Sequence, residues 1–167
     1  MSHDAVRRPA AKILTRDELL ASHGRPRTDS LVFTNGVFDI LHRGHIEYLD
    51  AARRMGDCLV VALNTDDSVR RLDKGGARPV VPQADRAAVL AALESVDVVT
   101  LFDEDTPAGL IARLLPDVLV KGGDYSPDQV VGRADVEAAG GRVAIIPFLA
   151  GRSTTDLIRR IRTDTDR

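Results

Sequence analysis

The sequence predicts an α/β protein: a single doubly wound domain built on a five-stranded parallel sheet with helices on both faces. Three observations predict it. Five short apolar runs alternate with stretches of helical periodicity from one end of the chain to the other. The runs are continuously apolar, as in strands buried on both faces. Each return to the next strand passes through a helix, as parallel pairing with right-handed crossovers requires.

Residues 1–11 read as a loose polar arm, 12–163 as the domain and 164–167 as a tail. Thr15 and Glu18 form a capping-box pattern ahead of Leu19-Leu20, so a short helix follows and ends near Gly24. The first strand is Leu31-Val32-Phe33-Thr34, ending at Asn35-Gly36; Ile46, Leu49, Ala52 and Met55 then recur at helical spacing. Residues 57–63 form the second strand, closed by the polar cluster Asn64-Thr65-Asp66-Asp67, a helix cap at least and, in an open α/β sheet, also part of the ligand edge. Lys74-Gly75-Gly76-Ala77-Arg78-Pro79 is a basic glycine-containing connection. Residues 83–93 are helical, with Arg86 in the early turns, where an arginine usually faces water.

The third strand covers 96–101. Asp105-Thr106-Pro107 supplies a cap and a proline for the first helical position of a helix reaching about 115. Residues 118–120 are the fourth strand, 130–139 a helix stopped by Gly140-Gly141, and 143–146 the fifth strand. The last helix starts at Ser153 and carries Leu157, Ile158 and Ile161 on one face.

A formal net charge of −2 leaves no excess of cations to neutralise a nucleic-acid backbone, so no nucleic-acid partner is expected. No apolar run approaches the ~20 residues that span a bilayer, and the N-terminus lacks a signal-peptide core. Cys58 is the only cysteine, which excludes an intrachain disulfide and fits a reducing compartment; a cytoplasmic protein is expected.

The chemistry concentrates at His42-Arg43-Gly44-His45, where the helix after the first strand opens. The first amides of a helix have no intrahelical partner and its dipole is positive there, so a phosphate is favoured. Two imidazoles three residues apart lie on one side of the turn, and Gly44 lets an anion approach the backbone. The arrangement suits attack on phosphorus, where catalysis is mostly positioning and charge stabilisation. The plain alternative is a pair of polar residues at a helix start; half of a metal site would need a third ligand, and only Asp39 is near. No protein metal site is expected, nor is a GxxxxGK[ST] or GxGxxG phosphate loop present.

Two further loops fall on the same edge. Gly151-Arg152-Ser153-Thr154-Thr155-Asp156 contains a capping box, yet capping leaves Arg152 and the extra hydroxyls unexplained; together they form a second seat for phosphates. Lys121-Gly122-Gly123-Asp124-Tyr125 is either a tight turn or, at the carboxyl end of a strand, part of a ligand crevice.

Asn35 to His45 resembles the HxGH signature of the cytidylyltransferase-like nucleotidyltransferase superfamily. Within it, residues 13–162, including Val120 to Tyr125 and Gly151 to Thr155, resemble the adenylyltransferases that make ADP-heptose from D-glycero-β-D-manno-heptose 1-phosphate and ATP. The resemblance implies a Rossmann-like nucleotidyltransferase fold, ATP as a substrate, Mg²⁺ riding on its phosphates, a homo-oligomer, and a separate kinase supplying the heptose 1-phosphate for lipopolysaccharide core synthesis. It implies His42 and His45 on the α- and β-phosphates, and Thr34, Asn35, Gly36, Gly44 and the backbone at Phe38 around the nucleotide. Lys121, Gly122, Gly123 and Asp124 would lie near base or ribose, and Arg152, Ser153, Thr154 and Thr155 on the leaving group. Lys74, Arg78 and Arg86 would serve the sugar phosphate, with Asp39 and Asn64 on the acceptor side. Lys74 stands one residue later than the lysine of the more usual Leu-Lys-Gly pattern. Two alternatives stand beside this reading: transfer of CMP or AMP to another small phosphate such as glycerol 3-phosphate, and a non-catalytic nucleotide sensor.

Overall fold

The computed structural model describes residues 8–72, 78–123, 126–147 and 154–165. Five strands, β1 (Leu31–Gly36), β2 (Cys58–Asn64), β3 (Val98–Phe102), β4 (Val118–Gly122) and β5 (Arg142–Ile146), form one sheet in the order β3-β2-β1-β4-β5, with every neighbouring pair parallel. The helices are α1 (Arg16–His23), α2 (Arg43–Arg53), α3 (Asp66–Arg71), α4 (Gln83–Ala91), α5 (Ala108–Leu114), α6 (Arg133–Ala138) and α7 (Thr154–Thr165). The doubly wound five-stranded sheet expected from the sequence is the observed one.

Strand side chains alternate between two cores. Leu31, Phe33, Val60, Ala62 and Leu119 pack with Leu19 of α1, Leu110, Ile111 and Leu114 of α5 and Val136 of α6. Val32, Leu59, Val61, Leu63, Val118 and Val120 pack with Tyr48, Leu49 and Ala52 of α2 and Ala87, Leu90 and Ala91 of α4. Each large apolar side chain buried this way contributes about 1.5–3 kcal/mol before entropy is charged against it. Both faces of the sheet are therefore closed, and binding chemistry is left to its edges.

The Thr15–Glu18 capping box forms as expected: the Thr15 amide donates to the Glu18 carboxylate at 2.8 Å, and the Glu18 amide donates to the Thr15 hydroxyl at 3.3 Å. The polar cluster after β2 is a cap, with Thr65 Oγ1 accepting the Ser68 amide at 3.1 Å to start α3. Pro107 is the N-cap of α5 and not its first helical residue, and Asp105 accepts Arg71 at 3.1 Å. The helix expected over 130–139 is shorter. Gly132 holds φ 86, a left-handed conformation that interrupts helix geometry, so α6 starts only at Arg133 after a 3₁₀ turn at Pro127–Gln129.

β1 pairs with β2 on one side and β4 on the other, so the direction of winding reverses between β1 and β4. Ligands of open α/β sheets bind at the carboxyl ends of strands at such a reversal. Asn35-Gly36 and Lys121-Gly122-Gly123 flank it. Among the described residues no helix is long and apolar enough to cross a membrane.

Candidate functional site

β1 ends in Asn35-Gly36, and the chain then turns through Val37-Phe38-Asp39 towards α2. A Cβ at Gly36 would lie 2.9 Å from the Phe38 ring, so glycine is what lets this ring close over the strand end. Phe38 has φ 44, a left-handed backbone that costs a non-glycine residue about 1 kcal/mol or more. Its ring meets His45 edge-on, centroids 5.3 Å apart at 60°. The strained residue thus braces a histidine.

His42 is the N-cap of α2, and its Nδ1 accepts the Gly44 amide at 3.1 Å. A nitrogen that accepts bears no proton, so the hydrogen bond assigns the neutral ring's proton to Nε2. One of the helix-start amides expected to await an anion is therefore capped by His42 itself. The two imidazoles stack, centroids 3.9 Å apart and 23° from parallel. Burial, with the neighbouring His42 adding to it, pushes the His45 pKa down from 6.5 to about 4. His45 Nδ1 is buried with no hydrogen-bond partner among the described residues, and an orphaned buried N–H is rarer in folded proteins than an under-satisfied acceptor. Both rings accordingly suit the neutral tautomer carrying Nε2–H.

This charge state has a testable consequence. The unfolded chain binds a proton at His45 near pH 6.5 and the folded chain only near pH 4, so stability falls as pH drops through that window, and His45 has no effect above it. NMR titration should find the His45 ring neutral at pH 5; a midpoint at the ordinary 6.5 would contradict the geometry.

The other flank of the crevice is built from β4. Lys121 Nζ donates to Asn35 Oδ1 at 3.2 Å, tying the ends of β1 and β4 together. Gly123 follows at φ 114, a conformation open to glycine, and its amide donates to Ile146 O at 3.0 Å. The start of α7 closes the site from a third side. Thr154 Oγ1 donates to Ile40 O at 3.4 Å, and Arg78 Nη2 donates to Thr155 Oγ1 at 3.1 Å. Histidine pair, glycine turn, hydroxyls and Arg78 thus surround one edge of the sheet.

Over residues 33–160 the chain matches the family model described as cytidylyltransferase-like. The chain belongs to the cytidylyltransferase-like family. It is 58% identical over 153 residues to the D-beta-D-heptose 1-phosphate adenylyltransferase of Bordetella bronchiseptica, covering 91% of this chain and 94% of that one. It is 56% identical over 155 residues to the bifunctional protein HldE of Geotalea uraniireducens, covering 92% of this chain but 31% of the relative; the chain spans about a third of such bifunctional relatives. Among solved structures, the lipopolysaccharide core biosynthesis protein of Thermoplasma volcanium superposes with a TM-score of 0.60 at 30% identity, over 73% of this chain and 98% of that one.

Four expected contacts of this cytidylyltransferase-like site have other occupations. Thr34 is fully buried, its hydroxyl 2.6 Å from the Tyr48 hydroxyl, because the strand period that sends Phe33 to one core sends Thr34 to the other. Burial raises the Tyr48 pKa to about 12, keeping that phenol protonated. Arg86 is not a solvent-facing side chain. It is 1% exposed and donates to Val81 O at 2.9 Å, Val37 O at 2.6 Å, Asn64 O at 3.0 Å and Asp66 Oδ1 at 2.6 Å, which uses four of its five N–H groups within the protein. Asn64 is 3% exposed and gives its side-chain amide to Ser68 Oγ at 2.9 Å. Asp39 is 4% exposed and accepts the amides of Val80 and Val81.

Lys74, Asp124, Arg152 and Ser153 lie outside the described residues. The sequence reading missed the Phe38 ring against His45 and the Arg86–Asp66 pair. The first has a local signal, an aromatic beside Gly36 just before the histidines; the second has none beyond a charged residue early in an alanine-rich helix.

Proposed function

We propose that the chain transfers AMP from ATP to the phosphate of D-glycero-β-D-manno-heptose 1-phosphate, giving ADP-heptose and pyrophosphate for lipopolysaccharide core synthesis. The observation that carries the reading is the stacked pair of imidazoles at the start of α2, on the sheet edge where winding reverses. The name of the Bordetella relative, which this chain matches over almost its whole length, supports heptose 1-phosphate as the acceptor.

An acceptor phosphate oxygen attacks the α-phosphorus, the bond from that phosphorus to the β-bridging oxygen breaks, and pyrophosphate leaves with the bond's electron pair. A phosphate monoester has its second pKa near ~6, so the attacking oxygen is already ionised at neutral pH and no general base is required. That agrees with His45, whose pKa of about 4 makes it a poor base and a ready donor. His42 and His45 stabilise charge on the transferring phosphate. The strand-end backbone from Asn35 to Phe38 and Gly44 line the same site. Lys121 to Asp124 border base or ribose, residues 152–155 hold the leaving phosphates, and Arg78, with Lys74, meets the acceptor. The donor is MgATP. Asp39, three residues before His42, is engaged by two amides, so Mg²⁺ would be held by substrate oxygens and water. The acceptor is the product of a sugar kinase, and the reaction runs in the cytoplasm in a homo-oligomeric enzyme.

Bringing a triphosphate against the rings favours imidazolium, so ATP should raise the His45 titration midpoint above 4. Pyrophosphate release across a panel of nucleotides and sugar phosphates tests the activity. The largest rate is expected with ATP and heptose 1-phosphate; faster release with CTP and glycerol 3-phosphate would replace the proposed substrates, and ATP binding without release from any acceptor would remove catalysis.

A further inference from the structure

Asp39 sits three residues before the first histidine, inside the protein, with its carboxylate facing protein amides. We infer that Asp39 is a positioning residue: with Arg86 it clamps Val80-Val81 to the loop that carries the histidine pair, and so fixes Arg78 relative to the phosphate site. Its catalytic consequence rests on the adenylyl transfer proposed above; the clamp itself does not.

Asp39 Oδ1 accepts the Val80 amide at 2.9 Å and the Val81 amide at 2.9 Å, and Oδ2 lies 3.1 Å from the Val80 amide. Val81 is held from its other side, since its carbonyl accepts Arg86 Nε at 2.9 Å. The same guanidinium takes Val37 O, two residues before Asp39, at 2.6 Å. Residues 37–39 and 80–81 are therefore joined twice, once through a carboxylate and once through a guanidinium. Both joints are charge-assisted, the stronger and shorter kind of hydrogen bond.

The joints extend to the rest of the site. Three residues before Val81, Arg78 donates to Thr155, and the adjoining Thr154 donates to Ile40 O, the residue after Asp39. The histidine loop, the segment 78–81 and the first turn of α7 thus form one closed circuit. Val80-Val81 belongs to no helix or strand, so its amides need acceptors from elsewhere, and a buried carboxylate supplies both. A carboxylate with open lone pairs beside a triphosphate would repel it; two amide dipoles aimed at the Asp39 carboxylate offset part of that repulsion while fixing the geometry. Because a shift of about 1 Å in a reacting group lowers rates by up to ~100-fold, Asp39 can govern turnover through this circuit without itself touching substrate.

Hydrogen exchange by NMR reads the clamp in the wild-type protein without ligand. The Val80 and Val81 amides should exchange at least ~100-fold slower than unprotected amides although Val80 is exposed; in Asp39→Ala they should reach the unprotected rate while Val60 and Val61 in β2 keep theirs. Kinetically, Asp39→Ala should lower kcat by about tenfold or more with nucleotide affinity changed less than about threefold. Asp39→Asn, whose single oxygen can accept both amides, should restore most of kcat. Free exchange of both amides in the wild type would overturn the clamp. So would an Asp39→Asn protein that keeps protection but raises the acceptor KM as much as Asp39→Ala, since that marks direct contact with substrate. Should Asp39→Ala not fold, the wild-type exchange and Asp39→Asn decide. A wild type that turns over no acceptor defeats the proposed activity while the exchange still decides the clamp.

Discussion

Replacing His45 by alanine is expected to lower adenylyl transfer at least ~100-fold, about 2.7 kcal/mol of transition-state stabilisation, with the fold retained. The size follows from what is lost. His45 presents a neutral ring held edge-on by Phe38 and face-on by His42, so its donor is preorganised and needs no rearrangement as charge moves onto the phosphate oxygens. The fold should survive because the two cores are formed by other residues, with β1 and α2 anchored by Val32, Leu49 and Ala52. Since the rings act as one stacked unit, His42→Ala combined with His45→Ala should cost little more than the worse single change. Steady-state turnover and thermal melts on the same samples check this. Near-normal turnover in His45→Ala would remove the histidine pair from the mechanism.

Arg86→Met should destabilise the domain by about 3 kcal/mol, lowering the melting temperature by roughly 6–12 °C. The side chain is replaced at similar length but its charge goes, leaving the Asp66 carboxylate without its partner and three carbonyls short of a donor. Removing one member of a buried pair is worse than never having the pair, and partial exposure of Asp66 holds the cost to the low end of the usual range. Arg86→Lys should recover only part of it, because an ammonium cannot reach acceptors arranged around a planar fork. A melt within 2 °C of wild type, about 1 kcal/mol or less for a domain of this size, would contradict the structural role.

Much of this was legible in the sequence wherever the cause is local. The Thr15–Glu18 box, the Thr65 cap and the strand ends at Asn35-Gly36 and Gly122-Gly123 are written in neighbouring residues. So is the placing of His42 and His45 at a helix start. Thr34 was half legible: its position at the ligand end of β1 suggests a phosphate contact, yet counting by twos from Leu31 and Phe33 sends it to the opposite core beside Tyr48. Arg86 was not legible. Its acceptors come from residues 37, 64, 66 and 81, which meet only when β1, β2 and α4 are assembled, and no pattern around position 86 encodes that convergence. The Asp39 contacts were not legible for a related reason: its oxygens accept amides from a segment about forty residues away.

A crystal structure with a non-hydrolysable ATP analogue measures the central claim most directly. The account predicts the α-phosphate at the start of α2, with its oxygens within hydrogen-bond reach, about 2.7–3.2 Å, of the His42 and His45 Nε2 atoms. A triphosphate seated on the same edge with its α-phosphorus remote from both rings, or bound at the opposite end of the strands, would contradict it.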